Sequence, residues 1–141
     1  MSGKKELAEQ IMHLMLDNDP FSQWLGIECL EIETGRCKLK MKVRNEMLNG
    51  FGIAHGSITY ALADSALAFA SNGHGKHCVS IDTQISHLAP CKSGDELIAD
   101  AIEIQRSKSL ARYDVHIKNG VGNLVAHFRG TVFIREKEWS V

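Results

Sequence analysis

The chain has 141 residues, with 16 Lys and Arg against 17 Asp and Glu and a net charge of −1. Apolar residues make up 44% and charged residues 23%, a composition that folds around a core and excludes a disordered chain. Balanced charge argues against nucleic-acid binding, which rests on a basic excess. The halves are also alike, with 7 basic and 9 acidic residues up to position 70 and 9 and 8 beyond it.

This length fits one domain, 1–141, and buries roughly two-thirds of the unfolded surface without help from a disulfide or metal. No stretch approaches the ~18 apolar residues of a membrane span. Glu6, Glu9 and Gln10 interrupt any signal-peptide core. Cys29, Cys37, Cys78 and Cys91 show neither a CxxC pair nor metal-ligand spacing. Free thiols in a reducing cytoplasm are therefore expected, with Cys37 and Cys78 as small core residues. His74 and His77 could ligate a metal, but no cysteine or acidic cluster joins them, and they read as polar surface.

In chain order, Leu7, Ile11, Leu14 and Met15 recur at helical spacing and predict a helix over 4–17. Asp19-Pro20 ends it, and Phe21 and Trp24 lead through a short turn to Gly26. Residues 27–33 and 36–43 read as a hairpin about Thr34-Gly35. Its second strand alternates: Cys37, Leu39, Met41 and Val43 on one face, Arg36, Lys38, Lys40 and Lys42 on the other. The basic stripe reads as a solvated face that discourages edge-to-edge pairing. A loop over 44–54 precedes a long helix from about His55 to Asn72, stopped by Gly73 and Gly75. Strands follow over about 77–88, 95–105, 110–118 and 123–134, with gaps too short for helices, so the sheet is mainly antiparallel. The long helix is apolar on nearly every side and is expected to be buried all round. A curved antiparallel sheet wrapped around it is an α+β fold.

The chemistry concentrates on that helix. Between Met47 and Gly75, 29 residues carry one charge, Asp64, where average composition predicts about seven. A lone carboxylate in an apolar helix marks either a structural hydrogen bond or a functional site. Ser57 and Ser71, each seven residues from Asp64, fall on the same stripe with Tyr60 or Ala61 and Ala68. At the helix start, the Gly56 amide lacks an intrahelical partner and could hold a developing oxyanion; the alternative is a plain helix cap with Gly56 as a turn residue. Gly56 and Asp64 stand eight residues apart, about 12 Å along a helix, whereas reacting groups must converge to about 3–3.5 Å. Two antiparallel copies of the helix about a two-fold axis would bring Gly56 of one to Asp64 of the other, which predicts a homodimer with shared sites.

The run Asn49-Gly50-Phe51-Gly52-Ile53-Ala54-His55-Gly56-Ser57 with Leu62-Ala63-Asp64 resembles the hotdog-fold acyl-CoA thioesterases, most of all their phenylacetate-degradation (PaaI-like) branch. The resemblance spans about residues 20–134 and departs at Ser57, where the family usually has a second glycine. It implies Asp64 as nucleophile or general base and a thioester carbonyl polarised by the Gly56 amide. It further implies that Asn49 orients the carbonyl or the water, His55 holds the loop or meets the thioester, and Ser80 helps place the water. Phe51, Ile53 and Tyr60 would line an acyl pocket, and Asp82 and His87 the ligand groove. Arg106, Ser107 and Lys108 would contact coenzyme A through its phosphates; a solvated hairpin tip is the bland alternative. No metal or redox cofactor is implied, coenzyme A entering as part of the substrate, and the dimers of such proteins pair into tetramers. Two further readings are a hotdog hydratase or dehydratase, which needs a differently placed histidine–acid pair, and a non-catalytic acyl-CoA sensor, which needs no acid at the carbonyl. His127 and Arg129 read as the opposite sheet face.

Overall fold

A computed structural model describes residues 2–141. Helix α1, Ser2–Asp17, turns Ala8, Ile11 and Met12 into the core. Where a plain turn was expected, Pro20–Leu25 forms a short helix, α2. Its signals are local. Asp19 caps its N-terminus by accepting from Ser22 N, Pro20 supplies a preset first φ, and Gly26 closes it in the left-handed region at φ 76°.

Strands β1 (Glu28–Glu33) and β2 (Arg36–Lys42) form the expected hairpin. A 3-10 turn over Asn45–Met47 leads to α3, Gly56–Asn72. Strands β3 (Lys76–His87), β4 (Glu96–Arg106), β5 (Leu110–Lys118) and β6 (Leu124–Glu138) follow. All pairings are antiparallel in the order β1-β2-β4-β5-β6-β3. The chain after α3 therefore crosses the whole sheet, and β3 becomes an outer strand with one edge unpaired among the described residues.

The sheet's inner face packs on α3 through Leu39, Ala99, Val115 and Phe128, all fully buried. Cys37 and Cys78 belong to that core as expected. The basic stripe is solvated and loosely paired, with Arg36 at 3.2 Å from Asp100 and Lys38 at 3.7 Å from Glu31. His127 lies on the outer face, stacked on His116 and 3.2 Å from Asp114. His74 is no free surface residue: its Nε2 meets Glu103 at 2.9 Å, and Glu103 also accepts from the Tyr113 hydroxyl at 2.8 Å. Among the described residues no helix is long and apolar enough to cross a membrane, and no cluster of three metal-ligating side chains forms.

The expectation that α3 is buried all round needs correction. Ser57 and Asp64 are exposed, and Tyr60, Ala61 and Ala68 are half-buried. The predicted polar stripe is thus an open seam along a helix whose other sides are covered. Ser71 does not share it; it is fully buried, and its hydroxyl donates to Ala68 O.

Candidate active site

The first turn of α3 is set by His55. Its Nδ1 accepts from Ser57 N at 3.1 Å and from the Ser57 hydroxyl at 2.7 Å. An imidazole nitrogen that accepts carries no proton, so the neutral ring is protonated at Nε2. His55, rather than Ser57, is the cap, and the serine at the family's second glycine position completes it. His55 N donates to Met47 O at 2.8 Å, and Ala54 N donates to Cys91 O at 2.7 Å, which fixes the approach to the helix. Gly56 N–H, next in line, donates to no protein atom among the described residues. It points from the positive end of a 17-residue helix.

A cavity of about 520 Å³ opens along the exposed seam. Helix α3 contributes Gly56, Ser57, Tyr60, Ala61, Asp64 and Ser65, helix α2 contributes Asp19, Phe21 and Ser22, and β3 contributes His87. Gly56 and Asp64 both line it, about 12 Å apart along the helix. Tyr60 forms the inner wall: its hydroxyl meets the Thr83 hydroxyl, and its ring stands edge-on to Phe128 at 5.3 Å.

The Asp64 carboxyl keeps one side open to solvent while packed atoms crowd the others. This partial burial, and secondarily the negative charge of Asp19, hold its pKa above the ordinary carboxylate value. Asp19 itself is held by Ser22, whose N–H reaches Oδ1 at 3.0 Å and whose hydroxyl donates to Oδ2 at 2.6 Å. With that proton committed, the Ser65 hydroxyl donates to Ser22 Oγ at 2.8 Å. The chain Ser65–Ser22–Asp19 pins α2 to α3 beside Asp64. Sequence reading missed this wall; the cap signature Asp19-Pro20 was its one visible sign.

The remaining candidates lie outside this cavity within a single chain. Asn49 organises its own loop, its Oδ1 accepting from Phe51 N at 2.9 Å and more weakly from Ile53 N. Phe51 is 90% exposed. Ser80 sits exposed on β3. Asp82, expected in the ligand groove, instead lines a groove with Arg112, Asp114 and Arg129 on the outer face. Arg106 does not reach outward from its loop. It folds back toward Glu103 at 3.7 Å, with its side chain 22% exposed and its Nη1 buried. Ser107 closes the hairpin by donating to Leu110 O, which leaves Lys108 as the exposed cation at the tip.

Residues 51–126 match the family model described as the thioesterase superfamily. The acyl-coenzyme A thioesterase PaaI of Escherichia coli K12 is 37% identical over 123 residues, 87% of this chain and 88% of that one. The chain belongs to the thioesterase superfamily. Its fold is the hotdog fold, as the structure of the E. coli PaaI protein from the phenylacetic acid degradation operon makes plain: the two align with a TM-score of 0.94 at 33% identity, over 96% of this chain and 99% of that one. A second neighbour, a Streptococcus mutans protein bound to acetyl CoA, aligns with a TM-score of 0.78 at 26% identity, over 80% and 91% of the chains. Gly56, at the start of α3, and Asp64, on its exposed seam, both line the cavity.

Proposed function

We propose that the protein is an acyl-CoA thioesterase that hydrolyses an aryl-acetyl or medium-chain thioester to the free acid and coenzyme A. The observation that carries this reading is an unpartnered Gly56 amide at the start of α3 with the Asp64 carboxyl on the exposed seam of the same helix. The thioester oxygen accepts from Gly56 N–H, which stabilises the charge that develops there. The Asp64 carboxylate takes a proton from water, and the water oxygen bonds to the carbonyl carbon. The C–S bond then breaks, and the proton passes to the departing sulfur to give the thiol. A raised pKa suits Asp64 to this work, because a stronger base removes a proton more readily. Direct attack by the carboxylate through an anhydride uses the same two groups.

The 12 Å gap supports a homodimer in which Gly56 of one protomer works with Asp64 of its partner. The unpaired β3 edge supports the same arrangement, since Val79 is 50% and Ile81 58% exposed there. In such a dimer Asn49 and Phe51, outside the single-chain cavity, lie on the loop that enters the shared site. Pairing of dimers into a tetramer, action in the cytoplasm and independence from metal and redox cofactors complete the proposal. Lys108 is the loop cation left to meet a coenzyme A phosphate.

The test is free-thiol release from short, medium, long and aryl-acetyl CoA thioesters by wild type and Asp64→Asn. Wild type should turn over at least one class, and the variant should lose about 10²–10⁴-fold in kcat with an unchanged circular dichroism spectrum. Turnover that survives the substitution, or silence on every thioester, overturns the reading.

A further inference from the structure

Helix α2 carries two large side chains that its packing leaves uncovered. Phe21 is 55% and Trp24 46% exposed, and at three residues' separation they share one face of the helix. Their rings stack, with centroids 6.0 Å apart and planes 21° from parallel, so Trp24 backs the Phe21 ring. Phe21 also lines the cavity that holds Asp64. Both ends of the short helix are fixed. At its start, Ser22 is tied to Ser65 at 2.8 Å, and Ser65 directly follows Asp64 on α3. The first turn of α2 is thereby held against the turn of α3 that carries the candidate base. At its end, Arg44 donates to Leu25 O at 3.1 Å and to Trp24 O at 2.6 Å, with its guanidinium 4.9 Å from the centre of the Trp24 ring. The rest of the cavity's apolar lining is Tyr60 and Ala61. A ring braced in this way offers contact area that needs no ordering when a ligand arrives.

We propose that Phe21 is a specificity-determining residue, the surface on which the apolar body of the acyl group packs. This rests on the thioesterase reading above. The contact is made by atoms remote from the thioester and is alike in the ground and transition states. Its contribution therefore falls on KM and leaves kcat nearly unchanged. Acyl groups too short to reach the ring gain nothing from it, so Phe21 sets the preference for larger acyl groups over small ones.

The test compares kcat and KM of wild type, Phe21→Ala and Phe21→Leu over a series from acetyl to octanoyl and aryl-acetyl CoA thioesters. Phe21→Ala should raise KM for the octanoyl and aryl-acetyl groups by about 10-fold or more, the low end of what an apolar contact contributes to discrimination. For the shortest acyl group that wild type turns over, KM should move less than about twofold, and kcat should hold within about twofold throughout. Phe21→Leu keeps an apolar body at the position and should recover most of the octanoyl loss. Because the position is exposed, both variants should keep the wild-type circular dichroism spectrum and the wild-type mass by light scattering. An equal change for every acyl length, a loss confined to kcat, an unchanged KM for the larger groups, or a changed oligomeric state overturns the proposal. Failure of the parent reading is separately visible: wild type itself is then silent on every thioester, and this proposal falls with it.

Discussion

Asp19, the N-cap of α2, and Asp64 on α3 line one cavity, and the negative charge of the first makes the second harder to ionise. Both Asp19 oxygens are engaged by Ser22, so the carboxylate is held in place rather than free to swing away. The arrangement places a structural cap beside a candidate base.

Asp19→Asn keeps a capping oxygen and removes the repulsion. The pKa of Asp64 should then fall, and the acidic limb of kcat/KM should move to lower pH. Profiles of both proteins between about pH 4 and 8 check this, and a limb that stays in place refutes the coupling. The sign for stability runs the other way from a salt-bridged acid. A folded-state pKa above the unfolded value means that ionisation opposes folding. The penalty is absent below the unfolded pKa, sets in as pH rises through it, and is complete above the folded pKa. At neutral pH, Asp64→Asn should therefore be at least as stable as wild type toward urea.

The free edge of β3 offers a direct handle on assembly. Val79→Lys with Ile81→Lys places two charges on exposed positions of that strand, and edge lysines oppose strand pairing. We expect light scattering to find a folded monomer whose hydrolysis falls with the lost dimer. A monomer with the wild-type rate contradicts the shared site, and an intact dimer moves the interface elsewhere.

Gly130 on β6 faces Leu67 of α3 with no room for a side chain. An added Cβ would stand 2.7 Å from Leu67 Cδ2 and 3.1 Å from Phe128 Cε1. Both side chains are buried and cannot turn to solvent. Gly130→Ala should cost about 1–3 kcal/mol through overpacking, read as a lower urea midpoint with an unchanged m-value. An unshifted midpoint would show that the helix can ride outward freely.

Much of this architecture was readable in the chain. Strict alternation in β2 and the apolar run of α3 gave element type, and the limits fell within about two residues except at the end of β6, which runs on from 134 to Glu138. Strand order was not readable, because no local pattern says that β3 travels to the far side of the sheet. Helix α2 is too short to show a period, so only its caps announced it. Composition made α3 appear enclosed, since counting apolar residues cannot show that Ser57, Tyr60, Ala61 and Asp64 share one uncovered seam. Ser80 and Asp82 have the same parity along β3, which places them on one face of a regular strand. A bulge between them shifts the register, and Asp82 lands on the opposite face. Arg106 looked like a loop cation, but its attraction to Glu103 turns it inward. The places of Gly56 at the start of α3 and Asp64 within it were legible because they follow from the helix limits alone, whereas the Ser65–Ser22–Asp19 chain joins residues more than 40 positions apart.

The separation of Gly56 and Asp64 along one helix also carries a genetic consequence. In the proposed dimer each shared site draws one group from either protomer, so a chain damaged at Gly56 and a chain damaged at Asp64 would both be inactive alone. Mixed in one dimer, they pool both lesions in one site and leave the other whole. Two silent alleles would then complement one another, restoring one working site per mixed dimer.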